Sequence, residues 1–200
     1  NSILKKRKIK AWVNCWRRTC LLYQNFKKKY LNQKLTSLSV KGSNWGMASN
    51  AIHFFDLVNY YTDSTDFKFK DNNIKVFESK REGYYEFDGI IRGAFNSGSS
   101  SFTLESNKND EKLNYEVKLE FVKNILIIKE EDGYWYEKFQ ENSSEKHNFE
   151  IIYQSEMTQN HIINLVEKGN CDLTPFVTSS EIHLPMIDYF TTIFKKKGII

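Results

Sequence analysis

The sequence predicts an α+β fold, a large, mostly antiparallel sheet covered on one face by helices. Three observations carry this. From about Asp66 to Phe139 apolar residues recur with the two-residue period of strands, and the stretches on either side have helical spacing. The third is length: 200 residues make one domain, which buries roughly 70% of the surface its unfolded chain exposes and needs no disulfide or metal to be stable.

The elements follow in order. Lys8 to Val13 reads as a strand ending at Asn14, and Thr19 to Leu31 as a helix with Leu22, Tyr23, Phe26 and Tyr30 on one side. Leu35 to Lys41 alternates like a half-buried strand and is broken by Gly42 to Gly46. Ser49 or Asn50 is a good N-cap for a helix to about Tyr61, with Ile52, Phe55, Asp56 and Asn59 along one side. Strands are expected at Phe67 to Lys70, Ile74 to Glu78, Tyr84 to Phe95, Ser101 to Glu105, Tyr115 to Phe121, Asn124 to Glu130 and Tyr134 to Phe139. Asp132-Gly133 signals a tight hairpin between the last two. After a hydrophilic stretch, Gln140 to Asn148, come a helix from about Gln154 to Lys168, stopped by Gly169, and a final helix from about Ser179 to Lys196 that contains Pro185.

Composition excludes several classes. No apolar run reaches the ~18 residues of a membrane span, so no membrane role is expected. Cys15, Cys20 and Cys171 are odd in number and lack C-x-x-C spacing, which argues against a disulfide framework or a zinc site and for a reducing, cytoplasmic setting. The opening residues are basic with no apolar run after them, unlike a signal peptide, and the absence of an initial methionine suggests a processed or truncated chain. Charge is uneven. Residues 1–34 hold eleven Lys and Arg and no acid, and the remainder has 18 basic against 25 acidic residues. Such a block, interleaved with Trp12, Trp16, Tyr23, Phe26 and Tyr30, suits a nucleic-acid arm; a helix with a solvated basic face is the more common explanation.

There is no G-x-G-x-x-G or G-x-x-x-x-G-K-[ST] loop, no H-E-x-x-H, and no G-x-S-x-G; the fragment Asn96-Ser97-Gly98-Ser99 reads as a turn. His147, His161 and His183 lie far apart without carboxylates at ligand spacing, so no metal site is expected. The segment Gly42 to Asp56 stands out. It sets His53 and Asp56 three apart on a helix that follows a glycine-containing loop, close enough for a carboxylate to orient an imidazole. Such an imidazole suits proton transfer to or from a carbinol. A surface pair or a structural histidine gives the same spacing more often.

A basic strand and helix, a strand, this glycine-bearing loop, the H-x-x-D-L helix at His53 to Leu57, a long antiparallel sheet and a closing pair of helices make the chain resemble the C-terminal part of Gfo/Idh/MocA-type oxidoreductases. The turn Leu173-Thr174-Pro175 before the helix with His183 and Leu184 matches the way such proteins end. The chain departs from the family's D-x-G-x-H-x-x-D pattern, with Ser49 in place of the aspartate and Ala51 in place of the glycine; Asn50 or Asp56 would then take the orienting role.

The resemblance implies that residues 1–34 are the last strand and crossing helix of an absent Rossmann domain, with the strand left as an exposed edge. Residues 35–200 would be a substrate-binding and oligomerisation domain. It implies His53 as the acid/base group with Asp56 beside it, Asn14 near the cofactor, and Arg17 and Arg18 as contacts to cofactor or an anionic substrate such as a nucleotide sugar. Asn44, Trp45 and Asn50 would contact the sugar. NAD or NADP would serve in the complete enzyme, with a sugar or nucleotide-sugar substrate, and a fragment would be inactive alone. A homo-oligomer would form through the sheet face, with aromatics of Tyr84 to Phe95 and Tyr134 to Phe139 supplying it. Two non-catalytic alternatives remain open: a nucleic-acid or anionic-polymer module using the basic segment, and a polysaccharide-binding module.

Overall fold

The computed structural model describes residues 2–108, 114–139 and 144–199. Its centre is an eight-stranded sheet in the order β3-β4-β5-β2-β6-β7-β8-β9. The strands are β2 (Leu35–Ser43), β3 (Lys68–Glu78), β4 (Tyr85–Phe95), β5 (Ser100–Asn107), β6 (Glu116–Phe121), β7 (Asn124–Lys129), β8 (Tyr134–Phe139) and β9 (Ser144–Asn148). All neighbours are antiparallel except β2 and β5. That parallel pair arises because β2 leads into helix α3 (Met47–Thr62), which crosses the sheet before the hairpin-linked β3, β4 and β5 return beside β2.

One face of the sheet is covered. Leu38, Val40, Ile91, Phe102, Leu104, Val117, Leu119, Leu126 and Ile128 are buried beneath α3, helix α2 (Leu21–Lys29) and helix α5 (Phe176–Lys196). Phe55 of α3 sits among Phe67, Phe69 and Phe102, while Phe26 of α2 meets Trp135 edge-on at 4.8 Å and Phe190 of α5 meets Phe87 at 4.9 Å. Helix α5 runs through Pro185, which lacks the N–H for the carbonyl one turn back. The other face runs in register through Thr103, Ser39, Lys118, Ile127 and Tyr136 and is laced by the ion pairs Lys41–Glu105, Lys118–Glu120 and Lys129–Glu116. This alternation of apolar and polar sides is what a one-sided sheet requires.

Several expectations need correction. Only Trp12–Val13 (β1) is extended near the N-terminus, preceded by the short helix α1 (Ser2–Arg7), and it pairs with Thr174–Pro175 (β10) of the same chain. One edge of it is thus paired within the chain. The segments around Phe69 and Ile74 are one strand, β3, with a register shift between Phe69 and Asp71 that absorbs the extra residue. The β7–β8 turn is four residues, a 3-10 turn at Glu130–Asp132 closed by Gly133 in the left-handed region, not a two-residue hairpin. Part of the hydrophilic stretch is strand β9, and 140–143 lie outside the described residues. Phe87 and Phe95, expected on an oligomeric face, are core residues. Tyr134 and Tyr136 do stay on the open side, where they meet each other edge-on at 5.4 Å.

Helix α3 begins at Met47, two residues before the expected cap. Gly46 precedes it with φ +72°, so no side chain caps there. The Glu86 carboxylate of β4 instead accepts from the Ala48 N–H at 2.8 Å and the Ser49 hydroxyl at 2.6 Å, placing an acid at the positive end of the helix.

Candidate functional site

Six segments converge on one cleft of roughly 280 Å³, lined by Trp16, Arg17, Asn44, Trp45, Asn50, His53, Phe54, Tyr115, Glu131 and Gln154. The 3-10 turn Trp16–Thr19 contributes Trp16 and Arg17, the end of β2 and the loop after it contribute Asn44 and Trp45, and α3 contributes Asn50, His53 and Phe54. Spacings of three and four put these α3 residues on one side of the helix. Tyr115 precedes β6, Glu131 follows β7, and Gln154 opens helix α4 (Gln154–Lys168). Gly42 makes the approach of Tyr115 possible, since a Cβ there would stand 2.6 Å from Tyr115 Cβ and 2.7 Å from its Cα.

The sequence therefore brought Arg17, Asn44, Trp45, Asn50 and His53 to one place. Asn44 adopts a left-handed conformation, φ +50°, that turns the chain out of β2. The Trp45 indole is buried, donates to the Glu105 carbonyl at 2.8 Å and meets Phe54 edge-on. Asn50 uses its amide N–H on the Trp45 carbonyl at 2.7 Å, fixing the loop against the helix. His53 has its Nδ1 buried with no hydrogen-bond partner among the described residues. Burial, aided by the Arg17 charge and by His183, lowers the His53 pKa to about 4, so the imidazole is neutral at neutral pH.

Arg17 is 4% exposed and lies over the Phe54 ring at 4.0 Å and the Trp16 ring at 4.7 Å. Its Nε donates to Glu130 Oε1 at 2.8 Å, and its Nη2 to Glu130 Oε2 at 2.7 Å and to the Tyr115 hydroxyl at 2.9 Å. The hydroxyls of Tyr23 and Tyr115 also donate to Glu130. Burial alone would raise the Glu130 carboxyl pKa, but the guanidinium and these donors outweigh it and lower it.

Three expected site residues lie elsewhere. Arg18 donates to both Asp56 oxygens, at 2.9 and 3.2 Å, and to Asn59 Oδ1 at 3.0 Å. Asp56, 1% exposed, also accepts from the Thr174 hydroxyl, so it anchors the 3-10 turn and β10 to α3 and makes no hydrogen bond to His53. Burial raises the Asp56 pKa, an effect the Arg18 charge and the Thr174 hydroxyl oppose. Asn14 does not line the cleft; its Oδ1 is buried without a hydrogen-bond partner among the described residues, and its carbonyl accepts from Gln154 at 3.3 Å.

No protein-family model and no curated protein matches the sequence. Solved structures do match. UDP-N-acetylglucosamine 3-dehydrogenase GnnA from Acidithiobacillus ferrooxidans superposes with a TM-score of 0.70 at 10% identity, over 94% of this chain and 62% of that one. The dehydrogenase MviM from Clostridium difficile gives 0.66 at 14% identity, over 98% and 65%. Levoglucosan dehydrogenase, in complex with NADH and levoglucosan, gives 0.58 at 10% identity, over 86% and 60%. The chain has the fold of Gfo/Idh/MocA-type oxidoreductases. It spans less than two thirds of the length of those proteins.

Within this Gfo/Idh/MocA-type fold, sequence reading missed Trp16, Phe54, Tyr115, Glu131 and Gln154 as cleft residues and Glu130 as the partner of Arg17. For two of them a signal existed. Continuing the inward alternation 124, 126, 128 places Glu130 on the buried side, and 121, 119, 117 likewise places Tyr115 there. Trp16 and Gln154 carry no periodic signal.

Proposed function

We propose that this chain is the substrate-binding portion of an NAD(P)-dependent sugar oxidoreductase, working with a dinucleotide-binding domain to complete its active site. The observation that carries the reading is His53: a neutral imidazole on α3, at the wall of a cleft lined by aromatic and amide side chains, in the same fold as dehydrogenases of known sugars. Aromatic faces pack on sugar rings, and amides bond to hydroxyls. NAD or NADP would supply the hydride acceptor or donor. The chain has no G-x-G-x-x-G loop to cradle a pyrophosphate, so its residues fit the substrate side of such a site and not the phosphate-binding side.

In this mechanism His53 presents Nε2 to the reacting hydroxyl, because its Nδ1 is buried. As a neutral base it takes the hydroxyl proton during oxidation and returns it during reduction. Asn44, Asn50 and Gln154 orient the remaining hydroxyls, and Arg17 holds the Trp16 and Phe54 rings in place. Residues 1–34 would sit at the boundary with the dinucleotide-binding domain. The open face of the sheet, with Ile125, Ile127, Tyr134 and Tyr136, would pair with a second subunit, and sedimentation showing a monomer at high concentration would remove that part. The unpaired thiols suit the cytoplasm. Among the described residues no helix is long and apolar enough to cross a membrane.

The basic segment weighs little against this. Arg17, Arg18 and Lys29 face Glu130, Asp56 and Glu137, while Tyr23, Phe26 and Tyr30 are buried, where no base can stack on them. The test is the product of the native gene, assayed for sugar-dependent reduction of NAD or NADP. Activity is expected, with His53→Ala lowering turnover about 10²–10⁴-fold. A product without a dinucleotide fingerprint, or one that binds nucleic acid with a steep salt dependence and no sugar, would refute the reading.

A further inference from the structure

The cleft beside His53 continues. Trp16, Tyr115, Glu131 and Gln154 line it and also a second compartment of roughly 450 Å³, whose other walls are Glu130, Ile151, Ile152 and Tyr153. Together they form one groove with aromatic walls. Among the described residues that line it, Arg17 is the sole lysine or arginine. Its charge is matched by Glu130 through two parallel hydrogen bonds, with the side chains 5% and 7% exposed. Arg18, the other cation of the turn, is matched by Asp56 and lies outside the groove.

From this charge pairing we infer that the groove selects an uncharged sugar or glycoside and discriminates against phosphorylated and nucleotide-linked sugars. A phosphate entering it would lose water and meet no unmatched lysine or arginine side chain among the described residues, and it would lie near the Glu131 carboxylate. Phosphate recognition ordinarily requires arginine forks, lysines or exposed backbone N–H groups. The two compartments in line suit a ring and a substituent of similar size. This differs from the substrate named for the UDP-N-acetylglucosamine dehydrogenase and agrees with the uncharged levoglucosan named for the other neighbour. Arg17 and Arg18, which the family resemblance offers as contacts to cofactor or an anionic substrate, are each matched by a carboxylate of this chain. The inference rests on the proposed sugar site at His53.

The test is titration of this chain at low salt, following the indole N–H resonances of Trp16 and Trp45, with methyl glucoside, levoglucosan, glucose 6-phosphate and UDP-N-acetylglucosamine. The uncharged ligands should shift these resonances saturably, and the phosphorylated ones should bind at least about tenfold more weakly. Glu131→Gln should narrow that gap several-fold, the affinities for phosphorylated and uncharged ligands being compared within the same variant. Equal or tighter binding of the phosphorylated sugars, weakened by added salt, would overturn this inference and leave the sugar site standing. Binding of none of the four, by this chain or by the product of the native gene, would overturn both.

Discussion

The Arg17 guanidinium meets the Glu130 carboxylate edge to edge across 113 residues of sequence, at 2.8 and 2.7 Å, with both side chains buried. It ties the 3-10 turn to the end of β7 and orients Tyr115, which lines the cleft.

Removing one partner strands the other charge. Arg17→Met or Glu130→Leu alone should lower the unfolding free energy by about 3–5 kcal/mol, whereas the double replacement Arg17→Met with Glu130→Leu should recover much of the loss. Denaturant unfolding of the three variants forms the cycle; equal losses in all three would contradict the coupling.

His53 should titrate near pH 4 by imidazole NMR. Its folded pKa lies below the unfolded value of about 6.5, so the unfolded state binds the proton first as pH falls. The stability contribution is therefore complete above pH 6.5 and is lost progressively as pH drops through 4. His53→Asn should flatten the stability profile across that window, and an unchanged slope would show that His53 is not the buried neutral group.

Gly42→Ala should push Tyr115 off the end of β2, because the new Cβ would overlap its backbone and Cβ. Overpacking of this kind costs about 1–3 kcal/mol. It should also weaken ligand binding in the cleft, and a variant with native stability and native Tyr115 ring shifts would argue against the contact.

Asp56 acts on Arg18 and Thr174, not on His53. Asp56→Asn should therefore destabilise the protein by several times more than His53→Asn does at neutral pH, while leaving the His53 titration in place. A shift of the His53 midpoint by a full pH unit would restore the histidine–aspartate pair that spacing suggested.

How much of this was legible depended on range. The period-two segments located every strand from β4 to β8, and the helical spacing of Ile52, Phe55, Asp56 and Asn59 named the buried side of α3. Errors clustered at ends. Glu86 moved the start of α3 because its carboxylate, not a local side chain, takes the first N–H groups. Pairing with Thr174–Pro175 cut the first strand to two residues.

The sequence by itself determined the fold class, the covered and open faces of the sheet, and the position of His53 on a helix after a glycine-containing turn, because each is set by the periodicity and conformational preference of neighbouring residues. Only the tertiary structure decided the partners of the charges. A guanidinium finds its carboxylate by proximity in space, and Arg17, Arg18 and Asp56 lie 113, 38 and 118 residues from Glu130, Asp56 and Thr174 respectively. Those pairings separated Asp56 from His53 and matched the cations that the family resemblance offers to cofactor or substrate.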